Sequence, residues 1–198
     1  MAIDPLTPER RRERTRQHLI DAAVVVFGQR GFHGASLDEV AATAGFTKGA
    51  VYSNFKSKDD LFVEAVAQAL EETGRSMVKV AKSAPEGQAL RAIIERYLSL
   101  GHLDSPGTGC VRAALGPELA RKPVLVRRRI ETLLEAYRER FLPFMPGRTL
   151  EERQAKTRLL FPSLAGVLMM ARVIPDPQRR EQVLMEARKF FIKCFTEQ

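Results

Sequence analysis

The chain has 198 residues, 44% of them hydrophobic, and a formal net charge of +8; that excludes a disordered chain and allows one substantial core, or a small module with a larger domain. Two cysteines, Cys110 and Cys194, are too few for a disulfide framework, and the longest apolar stretch, around 159–170, is too short to span a bilayer, so a cytoplasmic protein without membrane contact is expected. The positive charge suits an anionic partner, yet residues 1–60 hold nine Lys or Arg against eight Asp or Glu, so bulk charge does not say which end meets that partner.

Residues 1–8 carry two prolines and little periodicity, which predicts a mobile arm. A helix then begins in ERRRERTR at 9–16, with Leu19, Ala23, Val26 and Phe27 as its inward stripe and Gly31 as its end. Arg10, Arg11, Arg12, Arg14 and Arg16 cannot all face one way on a helix. At least one is expected to contact a phosphate of the anionic partner and the rest to face water.

Residues 36–58, SLDEVAATAGFTKGAVYSNFKSK, read as two short helices, a tight turn between them and the start of a third. Ser36 and Glu39 form a capping-box pattern. Leu37, Val40, Ala41 and Ala44 make one face apolar. Gly45 ends the helix in the left-handed conformation, Phe46 anchors the turn and Thr47 caps the next helix. That is helix-turn-helix spacing. The second helix, to about Asn54, is too short to stand alone and leans on its neighbours through Ala50, Val51 and Phe55. Its other face, Thr47, Lys48, Gly49, Tyr52, Ser53 and Asn54, is small and polar and suits a major groove, with Gly49 permitting close approach and Tyr52 donating to a phosphate. Ser57 caps the following helix, whose first amides and Lys58 would hold another phosphate. Ser36 completes the DNA-binding candidates. The alternative is a plain helical hairpin inside an all-α core.

The run from Ala22 to Leu61, with Phe32 after Gly31, then AATAGF, TKGAVYSNF and KSKDDLF, resembles the N-terminal DNA-binding domain of the TetR family of bacterial transcriptional regulators. The likeness covers about the first sixty residues. It implies an all-helical homodimer that represses promoters and leaves a palindromic operator when a small molecule binds its C-terminal domain.

From Ser57 to about Lys82 one helix of about 37 Å joins head to body, with Gly74 inside it as a candidate bend. A helix over 88–101 carries Leu90, Ile93, Ile94, Tyr97 and Leu98, and 104–109 is a loop. Cys110 opens a short helix that Pro117 divides or distorts. Pro123 starts the next, where Arg127 to Arg129 make a solvated face or a second nucleic-acid patch. Thr149 with Glu152 opens a helix towards Ile174, which Pro162 should kink, and a last helix follows PDPQ. The expected architecture is all-α, with about nine helices: a three-helix DNA-binding domain over 9–56, and a ligand-binding and dimerisation domain over 57–198. The two final helices carry more apolar surface than one face needs. A two-fold interface through Leu164, Leu168, Arg172, Leu184, Phe191 and Phe195 accounts for the excess, and so does internal packing.

A ligand pocket in the body would draw its apolar walls from Ile94, Tyr97, Leu134, Tyr137, Phe141 and Met169, and polar contacts from His102, Cys110 and Arg112. Cys110 is a candidate reactive thiol at a helix N-terminus, or an inert core residue. Catalysis is not expected: no phosphate loop, nucleophile elbow or paired-Cys zinc pattern occurs, and His18, His33 and His102 match no ligand spacing, so neither metal nor cofactor is called for. The partners expected are double-stranded DNA, a small-molecule inducer and a second copy of the chain. The competing readings are a helical small-molecule binder without specific DNA binding, and a thiol sensor acting through Cys110.

Overall fold

The computed structural model describes residues 7–105 and 109–196. Among them are ten α-helices, one 3-10 turn and no strand. The arm expected over 1–8 lies mostly outside the described residues; at its end Thr7 caps the first helix, its hydroxyl accepting from the Arg10 N–H at 3.3 Å, and Pro8 sits where its missing N–H costs nothing.

The head comprises α1 (Pro8–Gly34), α2 (Leu37–Thr43) and α3 (Lys48–Asn54). Leu19, Ala23, Val26 and Phe27 pack with Val40, Ala41, Val51 and Phe55, and the start of α4 (Lys58–Ser83) closes the core with Leu61 and Phe62. Each fully buried large side chain here contributes about 1.5–3 kcal/mol, which is what holds α2 and α3, at seven residues each, in helical form. Near the end of α1, Gly31 adopts φ 71°, ψ 173° and interrupts the helical path.

In the body, α4 runs unbroken through Gly74. The glycine there serves a close approach: a Cβ would meet Arg140 Nη1 at 3.2 Å and the Tyr137 ring at 3.5 Å. The single helix expected over 88–101 is two, α5 (Ala89–Tyr97) and α6 (Leu100–Leu103), because Ser99 caps a new start by accepting from the His102 N–H at 3.2 Å. α7 (Val111–Ala120) and α9 (Leu150–Ala171) continue through Pro117 and Pro162, each with its proline inside. α8 (Val124–Glu139) ends in a 3-10 turn over Leu142–Phe144, and α10 (Pro177–Thr196) starts where Asp176 Oδ1 accepts from the Gln178 N–H at 2.9 Å. Residues 106–108 of the expected loop fall outside the described residues. No described helix is long and apolar enough to cross a membrane.

Candidate nucleic-acid interface

The α2–α3 turn forms as its glycine requires. Gly45 takes φ 76°, the Phe46 N–H reaches the Ala41 carbonyl at 2.8 Å and the Gly45 N–H reaches that of Ala42 at 3.1 Å, a Schellman arrangement that fixes the angle between the two helices. Ser36 caps α2 by accepting from the Glu39 N–H at 3.0 Å. The reciprocal half of the capping box differs from expectation: the Glu39 carboxylate faces Arg30, whose Nε lies at 3.3 Å.

On α3, Val51 points into the core while Thr47, Lys48, Gly49, Tyr52 and Ser53 are exposed, Tyr52 at 59%. Thr47 has N-cap backbone geometry, but its side chain makes no capping bond, contrary to expectation, and its hydroxyl stays on the open face. Lys48 Nζ binds Asp38 Oδ2 at 2.8 Å, and this hydrogen bond raises its pKa. The Ser53 hydroxyl donates to the Ala50 carbonyl at 3.0 Å but remains accessible. Asn54 is half-buried and folds back on its own helix, donating to the Ala50 carbonyl at 2.7 Å; the structure does not bring it to the outer face. Arg12 donates to the Ser53 carbonyl at 3.3 Å, which places the arginine-rich start of α1 beside the end of α3. Net charge concealed this local concentration of cations.

Lys58 is the main departure. Its Nζ donates to the Ala35 carbonyl at 2.6 Å and lies 4.5 Å from the Phe32 ring centre, and burial lowers its pKa. The charge therefore tethers the α1–α2 linker rather than standing out towards phosphate. Beside it Lys122, from just beyond α7, binds Asp59 Oδ1 at 2.7 Å and lies over the same Phe32 ring, its pKa lowered by burial. Arg129 of α8 reaches Asp60 at 3.1 Å. Glu118 of α7 accepts from the Phe32 N–H at 2.7 Å; Glu118, Lys122 and Arg129 have partners far away in the chain, and no local sequence pattern marks them.

In the body, Ile94, Tyr97, His102, Cys110, Arg112, Tyr137 and Phe141 do come together. Much of that space is filled by rings: Tyr137, Phe141 and Phe161 lie 4.5–5.4 Å apart, and Tyr97 lies 4.8 Å from His102. Leu134 stands at the margin of this cluster, lining an open groove between α7 and α8. Met169 is 38% exposed on the outer side of α9 and is not part of it. Cys110 is 1% exposed, its Sγ 2.8 Å from the Tyr97 hydroxyl, a position that fits the inert alternative. His102 Nδ1 meets the Tyr97 carbonyl at 2.7 Å, and burial pushes its pKa down to about 4.

The side chains expected at a two-fold interface are mostly covered within one chain. Leu164, Leu168 and Leu184 are 0% exposed within one chain, Phe191 is also buried, Phe195 is half-buried against Phe191, and Arg172 donates to the Leu103 carbonyl at 2.9 Å. These side chains join α9 and α10 to the body. Left outward are Leu159 and Met170 on α9, Val173 in the turn just beyond it, and Met185 and Phe190 on α10.

Residues 19–65 match the family model described as bacterial regulatory proteins, tetR family. The chain is 50% identical over 52 residues to the HTH-type transcriptional regulator AcrR of Shigella flexneri, covering 26% of this chain and 24% of that protein. It is 31% identical over 97 residues to the HTH-type transcriptional activator FasR of Mycolicibacterium smegmatis, covering 48% and 44%. Across the first curated relatives the chain spans 24 to 60% of their length. In fold, it superposes on a TetR-family transcriptional regulator from Cytophaga hutchinsonii with a TM-score of 0.75 at 15% identity, covering 98% of this chain and all of that one.

Proposed function

We propose that this chain, whose N-terminal domain belongs to the tetR family of bacterial regulatory proteins, is a sequence-specific transcriptional repressor that binds a palindromic operator as a homodimer and is released by a small, largely hydrophobic molecule. The observation that carries the reading is the outer face of α3: Thr47, Lys48, Gly49, Tyr52 and Ser53 stand open at the edge of a head whose turn and caps hold it rigid. One such helix contacts only a few base pairs, so two heads related by a two-fold axis would share an operator. The outward row Leu159, Met170 and Val173, continued by Met185 and Phe190, supports a four-helix interface between copies.

Release follows from the way α7 holds the head. Glu118 accepts from the Phe32 N–H at 2.7 Å and Lys122 binds Asp59 at 2.7 Å. A ligand preferring a shifted α7 would move the heads to a spacing that the operator does not fit, and only such differential affinity can drive release. A gel shift with DNA from upstream of the gene, against excess unrelated DNA, tests the reading. Retained, sequence-selective binding supports it; weak binding indifferent to sequence favours a helical ligand binder without an operator.

A further inference from the structure

The Arg112 guanidinium occupies the body without an ion-pair partner among the described residues. It lies 4.2 Å from the centre of the Tyr137 ring, 5.5 Å from Phe161 and 5.8 Å from Tyr97. One Nη donates to the Tyr97 hydroxyl at 3.2 Å, while Nε is buried without an acceptor. Arginine has five N–H donors and no means of losing its charge in a protein. The tyrosines do not neutralise it, since burial raises the pKa of both Tyr97 and Tyr137 and keeps them protonated. Stacking on rings offsets part of the cost of a desolvated cation, but a partner anion offsets far more.

The same side chain lines the groove between α7 and α8, a space of about 490 Å³. Arg138 also lines it, and Leu119, Ile130 and Leu134 supply apolar wall. Glu131 is on the wall too, seven residues along α8 from Arg138 or about 10 Å. Gly116 faces open space, a Cβ there meeting nothing within 4 Å. The groove thus combines a cation lacking an anion, an apolar wall and room beside them.

We propose that this groove binds an amphipathic organic anion, with its acidic group on Arg112 and its hydrocarbon part on Leu119, Ile130 and Leu134. As the inducer it rests on the regulator reading above and adds an acid to a ligand otherwise described as apolar. Because α7 also carries Glu118, an occupant that displaces this helix acts directly on the contact with the head.

Calorimetry on the full chain with decanoate, decanol and decyltrimethylammonium as probes, the two ions below their micelle concentrations and decanol below its solubility limit, tests this. Wild type should bind decanoate about tenfold more tightly than decanol, a ratio within reach of one charge-assisted contact, and the cation least. Arg112→Gln should bring decanoate and decanol level. Gly116→Leu, which fills the groove from an unstrained helical position, should abolish decanoate binding, and it decides the matter if Arg112→Gln does not fold. Equal binding of decanoate and decanol to wild type, no decanoate binding at all, or full decanoate binding by Gly116→Leu overturns the proposal. The operator gel shift is read on the same preparations: a selective shift without an anion preference sinks the ligand class alone, and an anion preference without a shift sinks the repressor alone.

Discussion

Glu118 of α7 accepts a hydrogen bond from the Phe32 N–H at 2.7 Å, and its other carboxylate oxygen lies 2.8 Å from where a Cβ on Gly31 would stand. Body and head thus meet at a glycine whose φ of 71° and ψ of 173° lie in a region that residues with side chains avoid. Gly31→Ala should cost about 1–3 kcal/mol in strain and push the carboxylate away. Glu118→Ala leaves a part-buried N–H without its acceptor, a cost of about 1–3 kcal/mol. Both variants should melt several degrees below wild type, and the double variant should fall short of the summed losses because the two residues share one contact. Additive losses in thermal unfolding would disprove that sharing.

On the proposed DNA-binding reading, the exposed face of α3 divides by role. Tyr52→Phe removes a phosphate donor and should weaken binding to every sequence by a few-fold, whereas Thr47→Ala or Gly49→Ala should change which operator variants are bound. Lys58→Ala, with its ammonium tied to the Ala35 carbonyl, should lower stability while leaving the salt slope of DNA binding nearly unchanged. Affinity measured at three or more salt concentrations against a small operator library separates these outcomes.

Acid should loosen the body through His102. Its native pKa of about 4 lies below the ordinary 6.5, so between those values the unfolded chain binds a proton that the native chain refuses. Stability from this group is complete above pH 6.5 and is lost as pH falls towards 4, at up to about 1.4 kcal/mol per pH unit. His102→Asn can keep a donor to the Tyr97 carbonyl without titrating. Urea midpoints from pH 7.5 to 4.5 should therefore fall less steeply for the variant, and parallel curves would remove His102 from this role.

An inward residue of α9 and an outward one just beyond its end give opposite expectations. Val173→Arg alters an outward residue and should yield a folded monomer, while Leu168→Arg places a charge in the core and should unfold the chain. Light scattering together with circular dichroism distinguishes them. A folded Val173→Arg dimer would move the interface elsewhere.

Much of the head was legible because its signals are local. Ser36 and Ser57, like Thr149 in the body, cap the helices their positions announce, and Gly45 turns where the apolar period ends. Side chains whose partners are distant were not. Phe32 and Glu118 are 86 residues apart, Asp59 and Lys122 are 63, and nothing near Lys58 reveals that the Ala35 carbonyl awaits it. On α9 the difficulty was different: both faces are apolar, so periodicity gives a helix without saying that Leu168 turns inward and Met170 outward. Several of the body candidates lie around Tyr97 and Tyr137, Met169 does not, and the volume of packed rings, which moves open space out to the α7–α8 groove, is a property of the assembled fold.

The most direct test of the account is a hydroxyl-radical footprint on the DNA upstream of the gene, taken with wild type and with Tyr52→Ala. A dimeric operator-binding protein should give two protected half-sites on one face of the duplex, with centres about 10 base pairs or somewhat more apart, and their loss from the variant at the same concentration. A footprint of a single half-site, uniform protection without position, or protection unaffected by Tyr52→Ala would contradict it.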